Sequence, residues 1–143
     1  MKDRATIICR RGDRILLVAR DRSRWSLPGG TIRRAESPME AARRELEEET
    51  ALVQTELTYL FQFGGLRKRH HVFFTDLSED AAPEPRNEIS KCRWFSPNKI
   101  ATLVTSIPTR EMVSLTSRHR TVTILDLTVP DEPGVHVNGA DNA

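Results

Sequence analysis

The alternation of apolar and polar residues predicts several short strands in the first part of the chain. Two apolar runs, Ala5–Arg10 and Arg14–Ala19, flank a Gly-Asp pair and predict a β-hairpin. The segment Trp25–Leu27 favours an extended conformation. Pro28–Gly30 follows it and predicts a break in regular structure, because Pro and Gly interrupt both helices and strands.

The pattern changes to a helical period after this break. Ser37 is an expected N-cap, Pro38 suits the first helical position, and Glu40 is spaced for a capping box. We therefore expect a helix from Pro38 to about Thr50. On a wheel of about 100° per residue, its core stripe consists of Met39, Ala42, Leu46 and Thr50.

The remainder of the chain predicts further strands and short helices. Strands are expected at Glu56–Gly64, His70–Asp76, Lys91–Phe95 and Val122–Val129, a helical turn at Ser96-Pro97 and a helix at Ile107–Ser117. Residues 64–69 are expected to form a turn, and the acidic segment 78–87 a loop. Hairpins are more prominent than βαβ units, which favours an α+β fold over a doubly wound sheet.

Length and composition indicate one globular domain. The 143 residues suffice for a single core. No apolar run reaches the roughly 18 residues of a membrane span, and the N-terminus lacks the apolar core of a secretory signal. Cys9 and Cys92 are the two cysteines, far apart, which disfavours a disulfide framework and a cysteine-built zinc site. We expect a cytoplasmic protein without a membrane partner.

A compact acidic block is the main feature of the charge distribution. The net charge is +2, yet residues 36–50 hold six acids and two arginines. One interpretation is a solvated helix face whose acids pair with arginines four residues away. The other is a cation site, because clustered carboxylates repel one another unless positive charge lies among them.

The spacing of Glu45, Glu48 and Glu49 places three carboxylates on one arc of the helix. Such an oxygen cluster suits a hard divalent cation, Mg²⁺ or Mn²⁺. Magnesium usually shares its ligands with substrate phosphates, so the implied partner is a polyphosphate.

This segment resembles the signature of the Nudix hydrolase family, G-x5-E-x7-R-E-U-x-E-E-x-G-U with U aliphatic. The matching residues are Gly30, Glu36, Arg44, Glu45, Leu46, Glu48, Glu49 and Leu52. One position departs, because Ala51 stands where the family has glycine. We expect Ala51 to cost about 1 kcal/mol of stability if its φ is positive, and to remove no ligand.

The resemblance implies a fold and a domain arrangement. The expected fold is an α/β/α sandwich with a mixed sheet and the loop-helix of the signature. A single Nudix domain is expected over residues 1–120. Residues 121–143, which hold four acids and no Lys or Arg, form an expected C-terminal extension of a strand and a surface tail. It either joins the fold or contributes to a homodimer contact.

The resemblance also implies roles for the signature residues. Glu45, Glu48 and Glu49 are the implied metal ligands, and one of them, or Glu88 outside the helix, removes the proton from the attacking water. Arg44 is implied to orient the carboxylates. Further residues follow by position: Glu36 as the partner of Arg44, Arg20 as a phosphate contact, Gly29 and Gly30 as points of close backbone approach in substrate binding, and Leu46, Ala51 and Leu52 as structural positions.

The implied activity is metal-dependent hydrolysis of a pyrophosphate bond in a nucleoside diphosphate linked to another moiety. A nucleoside triphosphate is the favoured substrate. ADP-ribose, a nucleotide sugar or an RNA 5′ end is the alternative. A second alternative is a non-catalytic nucleotide sensor, although the carboxylates are retained and there is no room for a DNA-binding module.

Two further features stay open. The aromatic residues Tyr59, Phe61, Phe63, Phe73 and Phe74 either stack on a base or pack in the core, and the basic segment 67–71 either binds phosphate or is solvated.

Overall fold

A six-stranded mixed sheet forms the centre of the fold. In this computed structural model, which describes residues 1–64, 67–106 and 108–116, the strands are β1 (Lys2–Arg11), β2 (Arg14–Arg20), β3 (Gly29–Thr31), β4 (Thr58–Gly64), β5 (Lys68–Asp76) and β6 (Ile89–Phe95). The helices are α1 (Pro38–Thr50), α2 (Pro97–Ile100) and α3 (residues 108–116).

The two edges of β1 pair differently. The strand order is β4-β5-β1-β2-β6, and β5 runs parallel to β1 over the whole register from Lys2 to Arg10. The other edge of β1 is divided between two antiparallel partners. β3 pairs with Arg4–Thr6, and β2 pairs with Arg10 and Arg11. The segment before β3 connects the two: Ser26 exchanges backbone hydrogen bonds with Val18 of β2, and the Pro28 carbonyl accepts one from the Ile7 amide of β1.

Two apolar layers cover the two faces of the sheet. Alternate residues of β1 explain the division, since successive side chains of a strand point to opposite faces. Ile7 packs in the layer under α1, together with Leu46 and Phe73. Ile8 packs in the opposite layer, together with Met112 of α3. The predicted α/β/α sandwich is therefore confirmed.

The predicted helix has the bounds expected from its capping signals. The Ser37 side chain accepts a hydrogen bond from the Glu40 amide at 3.1 Å, and the Glu40 carboxylate accepts one from the Ser37 amide at 2.9 Å. Pro38 is the first helical residue. The helix ends at Ala51, which has a φ of 66° and lies in the left-handed region. Ala51 therefore carries the cost expected for alanine at this position.

Some predicted boundaries are wrong. Gly29 does not break the structure; it begins β3. The reason is close approach, because a Cβ on Gly29 would lie 2.2 Å from the carbonyl oxygen of Ala5 on β1. β5 begins at Lys68, so the expected turn is shorter than residues 64–69. The 5–19 hairpin, the 78–87 loop, the helical turn after Ser96 and a helix in 108–116 are confirmed.

The other expectations are tested only in part. No helix within the described ranges is long and apolar enough to cross a membrane. Cys9 is buried and Cys92 half-buried, and both are free thiols. The expected strand at Val122–Val129 and the extension 121–143 lie outside the described residues. The domain boundary, the homodimer contact and the cytoplasmic location stay predictions.

Candidate active site

Four carboxylates surround one small cavity at the C-terminal end of α1. Glu45, Glu48 and Glu49 line it from the helix, and Asn87 and Glu88 line it from the segment before β6. The cavity has a volume of about 390 Å³. The structure thus brings together the three glutamates of the signature and the outside glutamate singled out from the sequence.

Glu49 is the most buried of these carboxylates. Glu49 is 6% exposed, and its Oε1 accepts a hydrogen bond from the Gly29 amide of β3 at 3.1 Å. Burial raises the pKa of Glu49 to about 7, and the negative charges of Glu45 and Glu88 act in the same direction. Burial also excludes a fully solvated acidic face, the simpler interpretation of the acidic block.

Glu45 lies against the backbone of β3. A Cβ on Gly30 would be 2.2 Å from Oε2 of Glu45, so only glycine leaves room for this carboxylate. The glycine pair therefore has two functions: Gly29 supplies an amide to Glu49, and Gly30 supplies space for Glu45. Substrate contact was predicted for both. Gly29 lines the neighbouring cleft, but its amide is already bonded to Glu49.

Arg44 connects the carboxylates of the signature. Its Nη1 donates to Oε2 of Glu45 at 2.9 Å and to Oε1 of Glu48 at 3.2 Å. Its Nε and Nη2 donate to the two oxygens of Glu36, and Nη2 also donates to the carbonyl of Thr31. The hydrogen bonds from Arg44 lower the pKa of Glu36 to about 2. Glu36 thus fixes the guanidinium, as the resemblance implied.

The loop before β6 is attached to the end of α1. The amide of Glu84 donates to the Thr50 carbonyl at 2.8 Å, and the Asn87 side chain donates to the Glu48 carbonyl at 2.6 Å. The Arg86 amide donates to the carbonyl of Glu49. These bonds satisfy carbonyls that the last turn of a helix leaves without partners. They also place Glu88 beside the cavity.

Arg20 and Glu88 form an ion pair at the edge of the cavity. Nη2 of Arg20, at the end of β2, lies 3.3 Å from Oε2 of Glu88. Both side chains are more than half exposed, so the pair is accessible to solvent and weak. The predicted phosphate contact and the predicted base are therefore neighbours.

The donor set fits a hard divalent cation. The cavity offers the carboxylate oxygens of Glu45, Glu48, Glu49 and Glu88, and carboxylate oxygens are the ligands that Mg²⁺ and Mn²⁺ prefer. Within residues 1–64, 67–106 and 108–116, no three acidic, His or Cys side chains are already arranged around one metal position. Arg44 holds one oxygen each of Glu45 and Glu48, and it leaves the second oxygen of each carboxylate for a cation.

A larger cleft adjoins the acidic cavity and shares Glu49 with it. Its volume is about 1010 Å³. It lies on the α3 side of the sheet, and Glu49 reaches it beside Gly29 of β3. Among the described residues, the acids that line this cleft are Glu49 and Glu111. Its cationic residues are Arg4, Arg20, Arg22, Arg24, Arg67 and Lys68.

Strand alternation divides the basic segment of β5. His70 points into the cleft, together with Lys68 and the preceding Arg67. The intervening Arg69 and His71 lie on the opposite face, where both contact Asp3 of β1. The sequence alone left open whether the whole segment was solvated. The structure decides this question: β5 begins at Lys68, two residues before the predicted start, and Arg67, Lys68 and His70 line the cleft whereas Arg69 and His71 do not.

The candidate aromatic residues also lie in different parts of the fold. Phe63 lines the cleft, whereas Phe73 and Phe74 are buried in the two apolar layers. Tyr59 contacts Phe73 and His71 on the other face. Phe63 is therefore the aromatic residue of this set that a ligand in the cleft can reach.

Sequence reasoning missed several residues of the site. Asn87 holds the end of α1, and Arg33 lies 3.9 Å from Glu48. Thr6 accompanies His70 on the cleft floor. A positive φ of 57° at Asn87 is typical of asparagine in turns, so its position before Glu88 was a usable signal.

Comparison with known proteins gives a family match. The model of the NUDIX domain matches residues 1–115. A Bacillus subtilis (strain 168) protein named as an 8-oxo-dGTP diphosphatase is 33% identical over 98 residues, which cover 66% of this chain and 65% of that protein. The curated relatives are thus matched over less than two thirds of their own length.

Solved structures share the fold. A Nudix hydrolase family member from Chromobacterium violaceum is 30% identical with a TM-score of 0.73, over 82% of this chain and 77% of that one. A bifunctional NMN adenylyltransferase/ADP ribose pyrophosphatase from Francisella tularensis, complexed with AMP and a Mn ion, is 19% identical with a TM-score of 0.72, over 82% of this chain and 41% of that one. At that identity the second likeness concerns the fold alone. The match over residues 1–115 is decisive: the chain belongs to the Nudix hydrolase family.

Proposed function

We propose that the protein is a divalent-metal-dependent pyrophosphohydrolase, with a nucleoside triphosphate as its substrate. The observation that carries this proposal is the position of Glu49, which lines both the acidic cavity and the basic cleft. A cation held by the carboxylates and a phosphate chain held by the arginines would meet at that residue. Opposite charges on adjoining surfaces are what a metal-polyphosphate complex requires.

The carboxylates of Glu45, Glu48 and Glu49 would hold the cation. When bound, the cation supplies positive charge that neutralises the phosphate and acidifies nearby water. Arg44 keeps Glu45 and Glu48 oriented, because its guanidinium is fixed by Glu36. The Gly29 amide orients Glu49.

Glu88 would act as the general base. It lines the same cavity, lies outside the signature helix, and its carboxylate pairs with Arg20. In the reaction, water attacks phosphorus while Glu88 takes its proton. The bond from phosphorus to the oxygen that bridges the α- and β-phosphates then breaks. The leaving group, pyrophosphate if water attacks the α-phosphorus and the nucleoside monophosphate if it attacks the β-phosphorus, departs with that oxygen. Arg20 is placed to contact the phosphate once Glu88 turns toward water.

Substrate identity is the finer part of the proposal. A nucleoside triphosphate agrees with the name of the Bacillus subtilis relative, an 8-oxo-dGTP diphosphatase. ADP-ribose is the second candidate, because the cleft volume of about 1010 Å³ lies at the upper end of typical small-molecule sites, about 300–1,000 Å³. Such a volume accommodates a second sugar.

A hydrolysis screen tests the proposal. The purified protein is incubated with Mg²⁺ or Mn²⁺ and with nucleoside triphosphates, ADP-ribose, nucleotide sugars and dinucleoside polyphosphates, and the products are identified by chromatography. The proposal expects a nucleoside monophosphate and pyrophosphate from a triphosphate, and no reaction in excess chelator. Absence of hydrolysis of every nucleotide, or hydrolysis that a chelator leaves unchanged, would contradict it.

A further inference from the structure

A row of side chains crosses the floor of the cleft from the acidic cavity to the far strand. Gly29 of β3 pairs with Thr6 of β1, and Arg4 of β1 pairs with His70 of β5. His70 in turn lies opposite Phe63 of β4. All of these residues line the cleft. The row thus runs through four adjacent strands, starting at the amide that holds Glu49.

Strand spacing sets the length of this row. Adjacent strands lie ~4.8 Å apart, and the step from Thr6 to Arg4 adds two residues, ~7 Å, along β1. His70 is therefore ~12 Å and Phe63 ~16 Å from Gly29. This is the reach of an extended nucleotide. With the reacting phosphates at Glu49, the base would lie over His70 and Phe63.

Thr6 and His70 form a hydrogen-bonded pair on this floor. Oγ1 of Thr6 and Nδ1 of His70 are 2.8 Å apart, and both residues are buried. Nε2 of His70 has no hydrogen-bond partner among the described residues. It is also not one of the side-chain polar atoms of those residues that are fully buried without a partner. It is therefore open to a ligand in the cleft.

The surroundings keep the imidazole of His70 neutral. Burial lowers its pKa to about 4, and the positive charges of Arg4 and Lys68 act in the same direction. A neutral imidazole has one donor and one acceptor nitrogen. Nε2 is the donor when the Thr6 hydroxyl donates to Nδ1, and the acceptor when the ring proton is on Nδ1.

Apolar neighbours complete a surface that suits a flat ring. Phe63 meets His70 edge to face, with ring centroids 6.3 Å apart, and Leu27 and Met112 line the same cleft. Small-molecule sites typically combine such apolar walls with a few polar groups that fix orientation. Here the polar groups are the Thr6–His70 pair.

We propose that Thr6, His70 and Phe63 form a nucleobase subsite in which Nε2 of His70 hydrogen-bonds the edge of the base. This assignment rests on the proposed function, and it adds the residue that distinguishes one base from another. Loss of a hydrogen bond to the base weakens binding by about tenfold. A discriminating hydrogen bond also makes affinity depend on which base is present.

Binding of products tests the subsite without any catalysis. His70→Phe keeps a ring and removes both nitrogens, and His71→Phe is the matched control on the opposite face of β5. Calorimetry would measure the affinity of four nucleoside 5′-monophosphates and of ribose 5-phosphate, which lacks a base. Thermal melting of each variant reports folding. If His70→Phe fails to fold, His70→Gln, which retains a donor and an acceptor, replaces it and is expected to change the order of base preference.

The expected result is that His70→Phe weakens at least one monophosphate about tenfold, reduces the differences between bases, and leaves ribose 5-phosphate unchanged. His71→Phe should match the wild type for every ligand. Unaltered base preference in the folded His70 variant, equal loss of ribose 5-phosphate, or a wild type that binds no monophosphate overturns the subsite. If binding depends on the base through His70 but the protein hydrolyses no nucleotide, the subsite is supported. Only the proposed function is then overturned.

Discussion

The carboxylate of Glu49 accepts a hydrogen bond from the backbone amide of Gly29 at 3.1 Å, and this contact joins the acidic helix to the substrate cleft. Glu49 comes from α1, which covers one face of the sheet. Gly29 begins β3, which pairs with β1, and it lines the cleft on the other face. Cation ligands and cleft can therefore lie on opposite sides of one sheet and still share a residue.

Replacement of the proposed base should lower turnover without altering binding. We expect Glu88→Gln to lower kcat and kcat/KM by similar factors, about 10²–10⁴-fold, because the base acts in the transition state. Rising pH should restore part of the rate as hydroxide replaces the base. Glu84→Gln is the control, since the structural contact of Glu84 is made by its backbone amide. A Glu88→Gln enzyme within a few-fold of the wild type from pH 7 to 9 would assign the base to Glu45, Glu48 or Glu49.

The two glycines of β3 should respond differently to alanine. In Gly30→Ala the new Cβ meets the end of the Glu45 side chain, which can move, so stability should change little. Turnover should fall about 10²-fold, because a carboxylate of the site is displaced. In Gly29→Ala the Cβ meets the Ala5 backbone, so we expect a loss of about 1–3 kcal/mol in the free energy of unfolding. Paired denaturation and turnover measurements check both. Equal loss of stability in the two variants would be inconsistent with this geometry.

Restoring glycine after the helix should stabilise the protein. Ala51 has a φ of 66°, a conformation that costs alanine about 1 kcal/mol relative to glycine. Ala51→Gly should raise the free energy of unfolding by that amount and leave kcat unchanged, since residue 51 contributes no ligand. Ala101→Gly is the control. Ala101 has a φ of −62°, so glycine there should be neutral or destabilising. A destabilised Ala51→Gly protein would contradict the left-handed assignment.

His70 should make the protein less stable in mild acid. Its pKa in the folded state is about 4, below the ordinary 6.5, so the unfolded chain binds a proton first as pH falls. The stability present above pH 6.5 is thus lost progressively, until both states are protonated below pH 4. Glu49, with its pKa raised to about 7, acts in the opposite direction in metal-free protein.

Metal-free protein carrying Glu49→Gln removes the opposing contribution of Glu49. Urea unfolding from pH 7 to 4 should show a falling free energy, and adding His70→Gln should flatten that slope. The change with pH, and not the absolute stability, is the relevant quantity, because His70→Gln also alters the hydrogen bond with Thr6. Equal slopes with and without His70 would show that this imidazole titrates normally in the folded protein.

Local signals in the sequence predicted α1 well and the cleft poorly. Ser37, Pro38 and Glu40 fix the start of α1 through bonds between neighbours, so the sequence is sufficient there. The pairing of Gly29 with Thr6 is a long-range contact, and a Pro-Gly-Gly segment gives no local sign of it. The cleft depends on which strands are adjacent. For this reason the sequence placed His70 at the start of a strand and within a basic segment, but gave no sign that it faces a cleft.

Catalysis by a cation held at Glu48 can be tested with the turnover of one nucleoside triphosphate by three proteins. Wild type, Glu48→Gln and Glu47→Gln would be compared over a Mg²⁺ titration, since Glu48 lines the acidic cavity whereas Glu47 is exposed on the same helix. We predict wild-type turnover in Glu47→Gln, and a loss of at least about 10²-fold in a folded Glu48→Gln protein. We also predict that the wild type is inactive without the cation. Equal turnover in Glu48→Gln and Glu47→Gln, or turnover that persists in excess chelator, would contradict catalysis by that cation.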